Sequence, residues 1–129
     1  MNILVIVTTS PWGSSLGSTA LRFVEAALAA GDEVPVIFFH EDGVYQSQKG
    51  AISDGGLPDP SLAWKAFAGR AGTRLLLCQA STRRRLQEGD QSSQESGQTE
   101  PGEEGQQFSE AGLVELLDLA STADRVITF

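Results

Sequence analysis

Ile3-Leu4-Val5-Ile6-Val7, running directly into Thr8-Thr9-Ser10-Pro11-Trp12-Gly13, decides the fold class of this chain. An unbroken aliphatic run, mostly β-branched, lacks the alternation of a strand with one wet face and suits a strand buried on both faces of a parallel sheet. A turn carrying hydroxyls and glycine follows, and then the period changes. Leu21, Val24 and Leu28 fall on one helical face, Ala26, Ala27, Ala29 and Ala30 are strong helix formers, and Gly31 is a stop signal. A helix is predicted over residues 18–30.

The same alternation continues. Glu33 to Phe39 reads as a second strand, with Pro35 removing a ladder donor so that regular pairing is expected from Val36. Residues 43–56 are polar and rich in glycine and read as a loop. Asp59-Pro60 looks like an N-cap followed by proline at the first helical position, with Leu62, Ala63, Ala66 and Phe67 as the apolar stripe of a helix ending near Arg70. A third strand is predicted over 73–77, delivering Cys78, and 79–86 has room for a short helix. Residues 87–107 are dominated by Glu, Gln, Ser and Gly, a composition that buries too little apolar surface to offset its ordering entropy, so a mobile excursion is expected there. Ser109 is a candidate cap for a last helix bearing Leu113, Leu116, Leu117 and Ala120, and 124–129 reads as a final strand. Strands alternating with helices imply crossover connections, hence an α/β domain of three layers, α/β/α, with a mostly parallel open sheet.

The chain's 129 residues fit one domain, with no internal repeat. Nine basic residues against seventeen acidic ones give a formal net charge of -8, which argues against direct binding of a nucleic-acid backbone. With one histidine, His40, and one cysteine, the usual Cys and His metal clusters cannot be assembled, and an intramolecular disulfide is impossible. Lacking a basic leader or a long apolar span, the chain is expected to be cytoplasmic, with no membrane partner.

In open parallel sheets, sites form outside the carboxyl ends of the strands. Three such ends carry suggestive chemistry: the Thr8 to Gly13 turn, His40-Glu41-Asp42-Gly43-Val44-Tyr45, and Cys78. Thiolate is the reactive form of cysteine, and a helix start or nearby cations such as Arg83, Arg84 and Arg85 favour it, whereas burial after Leu75-Leu76-Leu77 favours the neutral thiol. A lone cysteine after three leucines also fits a small core residue. The arginines fit a solvated face, His40 a structural hydrogen bond, and Trp12 and Tyr45 either an approach to Cys78 or simple packing.

Several of these pieces, in this order, resemble the DsrE/TusD-like sulfur-relay family: the first strand and its Thr/Ser/Gly turn, Phe38-Phe39-His40-Glu41-Asp42-Gly43-Val44-Tyr45, Leu77-Cys78 with Arg83-Arg84 after it, and Asp124-Arg125-Val126-Ile127-Thr128-Phe129. Arg85 stands where that family commonly has glycine. The resemblance implies a sulfurtransferase in which Cys78 accepts a sulfane sulfur as a persulfide, without cofactor or metal, and hands it to another protein's cysteine. It further implies TusB-like and TusC-like (DsrH-like and DsrF-like) subunits in a heterohexamer, a TusA-like donor and a TusE-like or DsrC-like acceptor, serving either 2-thiolation of the transfer-RNA wobble uridine or sulfur oxidation. Having no second cysteine, the chain has no internal resolving thiol, so sulfur must come from and go to other molecules. Two alternatives stand beside this. One is a flavodoxin-like flavin or nucleotide binder using the 8–15 turn as a phosphate cradle, although the glycine-rich dinucleotide fingerprint is absent. The other is a non-catalytic assembly subunit with Cys78 in its core.

Overall fold

The opening aliphatic run becomes β1 (Asn2–Val7), with Ile3, Val5 and Val7 turned to one face of a sheet and Leu4 and Ile6 to the other. This period-2 division gives both faces an apolar lining from a single strand. The computed structural model describes residues 1–50, 59–86 and 107–129, so the expectation of a mobile excursion at 87–107 falls, except for Gln107, outside the described residues. Beside β1 lie β2 (Glu33–Phe39), β3 (Arg74–Cys78), β4 (Phe108–Ala111) and β5 (Arg125–Thr128), in the order β4-β3-β2-β1-β5 with every neighbouring pair parallel. Asn2 pairs with Glu33 but Leu4 pairs with Val36, so β2 carries an extra residue there. Pro35 sits in that irregularity, where its missing N–H costs no ladder bond, and regular pairing starts at Val36 as expected.

The helices are α1 (Leu16–Ala29), α2 (Pro60–Ala71), α3 (Gln79–Arg85) and α4 (Leu113–Thr122). α1 begins two residues earlier than the sequence suggests and buries Gly17, Ala20, Val24 and Ala27, leaving Leu28 exposed. Small residues facing the sheet let the helix approach closely, so the true stripe is rotated from the one drawn through the leucines. Gly31, at φ 91, turns the chain out of the helix into β2. In α2 the Asp59 cap is as expected: its Oδ1 accepts from the Ser61 N–H at 3.0 Å and from the Ser61 hydroxyl at 2.9 Å. Its buried side, however, carries Trp64, Phe67 and Ala68, while Leu62 and Ala66 face outward, because the bulkiest side chain, Trp64, takes the core position.

Two further expectations are corrected. The start of the 43–56 loop is a 3-10 helix, Glu41–Ser47, with Gly43, Val44, Gln46 and Ser47 buried. Ser109 does not cap the last helix: it lies within β4, and Gly112 occupies the α4 cap position. One face of the sheet is covered by α1 and α2 around Val5, Val7, Ile37, Phe39, Trp64 and Phe67. The other is covered by α4, whose Leu116, Leu119 and Ala120, with Ala123 just after the helix, pack on Leu4, Val36, Phe38 and Leu76. Connecting β4 on one edge to β5 on the other, α4 leaves Leu113, Val114 and Leu117 exposed, Val114 at 82%.

Candidate functional site

Because all five strands are parallel, their carboxyl ends share one edge, and the register brings the expected residues to it. Val7 pairs with Phe39 and Phe39 with Leu77, so the next step along each strand is Thr8, His40 and Cys78; Cys78 itself pairs with Ala111. Cys78 turns to the α4 face, in the cluster of Leu4, Val36, Phe38, Leu76 and Ala111, and is 1% exposed. It is also the N-cap residue of α3, without a side-chain capping bond. Cys78 is therefore the last core residue of a strand and the residue immediately before a helix.

α3 carries Arg83, Arg84 and Arg85 in its last turn. At about 1.5 Å rise per residue their backbones start roughly 7–10 Å from Cys78 along the axis. Arg83 and Arg84 are exposed, and positive charge at a helix carboxyl end complements its dipole. Arg85, two turns after Cys78, places Nε 2.8 Å from Asp42 Oδ1. A second tie joins the same elements: the Glu41 N–H donates to Ser81 Oγ at 2.9 Å, holding Glu41 at φ 52, a left-handed conformation that a side chain seldom takes. Thr82, one turn after Cys78, is buried, and its Oγ1 has no hydrogen-bond partner.

His40 extends the ladder through its backbone, donating its N–H to the Val7 carbonyl at 2.9 Å, while its ring lies 6.4 Å from that of Phe38. The Trp12 and Tyr45 rings meet in a tilted contact, centroids 5.4 Å apart, and neither belongs to the apolar cluster around Cys78. Sequence reasoning missed Gln46. Its buried amide donates from Nε2 to the Thr9 carbonyl at 3.0 Å and accepts at Oε1 from Trp64 Nε1 at 3.2 Å, tying the turn after β1 to α2. A polar residue in a glycine-bearing segment carries no signal of such a role. Gln46 and Trp64 also border a cleft of about 80 Å³ with Pro11, Ser14, Gly17 and Pro60, on the α1–α2 side. That is far below the roughly 300–1,000 Å³ of cofactor pockets and lends the flavin alternative no support.

A model of the DsrE/DsrF-like family matches residues 1–129. The chain belongs to that family. Among its relatives, a sulfurtransferase TusD homolog of Pseudomonas aeruginosa is 33% identical over 125 residues, covering 96% of this chain and 94% of the relative. Sulfurtransferase TusD of Salmonella arizonae and that of Cronobacter sakazakii are each 31% identical, with both chains covered in full. The crystal structure of the ychN protein from E. coli superposes with a TM-score of 0.72 at 22% identity over the whole of both chains, which places this DsrE/DsrF-like chain in the same fold. These relatives support a sulfur-transfer role. Among the described residues no helix is long and apolar enough to cross a membrane.

Proposed function

We propose that this chain is a sulfur-relay sulfurtransferase subunit in which Cys78 accepts a sulfane sulfur as a persulfide and passes it to a cysteine of a partner protein. The observation that carries the reading is the position of the chain's only cysteine at the carboxyl end of β3, on the edge where sheets of this kind do their chemistry. In each step a thiolate attacks the outer sulfur of a persulfide, the old S–S bond breaks, and the former carrier leaves as a thiolate. One cysteine suffices to receive and to give. A TusA-like donor, a TusE-like or DsrC-like acceptor, and TusB-like and TusC-like subunits in a cytoplasmic heterohexamer complete the proposal, in either wobble-uridine 2-thiolation or sulfur oxidation. The exposed Leu113, Val114 and Leu117 of α4 are consistent with a chain that works in an assembly.

Because Cys78 is 1% exposed, transfer requires a local opening that brings the thiol to the surface. The same burial is what favours the second reading, an assembly subunit whose cysteine is core. Intact mass after incubation with a small persulfide donor separates them. Wild type is expected to gain one sulfur that a reductant removes, and Cys78→Ser to gain none. Equal gain by Cys78→Ser, or no gain by wild type, would refute the assignment.

A further inference from the structure

Thr82 is 2% exposed, yet its hydroxyl oxygen makes no hydrogen bond. Buried hydroxyls are nearly always paired, and in a helix threonine has a ready partner in the carbonyl one turn back. Its neighbour shows the ordinary outcome: the Ser81 hydroxyl, equally buried, accepts from the Glu41 N–H. Four positions before Thr82, at the N-cap of the same short helix, stands Cys78, and both side chains are buried, so the thiol is the reactive group nearest in the chain to the orphaned hydroxyl. The Cys78 thiol itself does not bond Thr82. A persulfide would put a second sulfur about 2.05 Å beyond the first, and with it a new acceptor in the neighbourhood of that hydroxyl.

Resting on the reading of Cys78 as a sulfur carrier, we propose that Thr82 is a sulfur-binding residue whose O–H donates to the outer sulfur of the Cys78 persulfide. The orphaned hydroxyl is thus matched to the loaded state of the protein and unmatched in the empty one. Anionic persulfide sulfur is a hydrogen-bond acceptor, so the bond favours loading. The exchange is Cys78–S⁻ plus glutathione persulfide (GS–SH) giving Cys78–S–S⁻ plus glutathione (GSH): one S–S bond forms, one breaks, the proton of the donor's outer sulfur ends on the glutathione thiol, and no net oxidation occurs.

The test is the equilibrium constant of that exchange, with glutathione persulfide and glutathione as the couple and the loaded fraction read by intact mass. An equilibrium is indifferent to how fast buried Cys78 is reached. Thr82→Val, which keeps the shape, is expected to lower the constant about tenfold, the worth of one hydrogen bond to a charged acceptor, while Thr82→Ser retains it. Thermal melting of the unloaded proteins gives an independent reading: Thr82→Val should melt no lower than wild type, because it deletes an unpaired buried oxygen. A Thr82→Val constant within twofold of wild type would overturn the role of Thr82 while leaving Cys78 as the carrier. Failure of wild type to load would overturn the carrier reading and this inference with it.

Discussion

Gly17→Ala is a substitution whose sign depends on one other side chain. Residue 17 is the second position of α1 and is buried, and an alanine Cβ there would lie 2.5 Å from Gln46 Nε2. By helix propensity alone, alanine gains up to about 1 kcal/mol over glycine. The Gln46 amide cannot move aside freely, because it is bonded at both ends, to the Thr9 carbonyl and the Trp64 indole. Turning it away orphans the Trp64 N–H in a residue only 1% exposed, at a cost of about 1–3 kcal/mol. The net expectation for Gly17→Ala is a loss of about 1–2 kcal/mol. In a Gln46→Ala background there is no amide to displace, and the same alanine should stabilise by up to about 1 kcal/mol. The coupling between the sites is therefore about 2 kcal/mol, well beyond the roughly 0.5 kcal/mol scatter of independent positions. Urea unfolding of wild type, both single variants and the double variant measures it as midpoint shifts at constant slope. Equal effects of Gly17→Ala in the two backgrounds, within about 0.5 kcal/mol, would refute the reasoning.

Gly43→Ala should be costlier, since the new Cβ would collide with the Val7 carbonyl oxygen, which is backbone and already accepts from His40; a loss of about 3 kcal/mol or more is expected, and an unchanged Tm would contradict the close approach. Ser81→Ala combined with Arg85→Ala removes both ties between α3 and the 3-10 helix, about 1 kcal/mol for the hydrogen bond and a few tenths for the half-exposed ion pair, so alkylation of Cys78 through local opening should accelerate about tenfold. An unaltered alkylation rate would mean that these ties do not govern access to the thiol.

The parallel sheet was legible because Ile3 to Val7 and Leu75 to Leu77 are apolar without alternation, a pattern that few other environments tolerate. The edge carrying Thr8, His40 and Cys78 followed from topology alone. β4 was not legible: Phe108-Ser109-Glu110-Ala111 buries only its two ends, and Ser109 carries a helix-cap signal that the sheet overrides. Of the α2 stripe that the sequence suggests, Leu62, Ala63, Ala66 and Phe67, only Phe67 is fully buried, because tertiary packing rotates the helix to seat Trp64. The arginine run follows Cys78 closely in sequence, but that Arg85 pairs with Asp42 could be learned only from the fold. Gln46 and Thr82 are defined by what they bond or fail to bond, a property that exists only after folding.

Joining β1 to β5 has a consequence for how the fold is reached. Asn2 and Asp124 exchange hydrogen bonds, the Asn2 N–H donating to Asp124 Oδ2 and the Asp124 N–H to the Asn2 carbonyl, across 122 positions of sequence. Contacts so distant form late, because a long loop must close before they reward it. Until then β1 is flanked by β2 on one side and bare on the other, presenting an aliphatic edge from Ile3 to Val7 with no charge or proline to deter a foreign strand. A nascent or refolding chain is thus stickiest in the interval before residues 125–128 dock, and the yield of native protein depends on how quickly that interval closes relative to encounters with other unfinished chains.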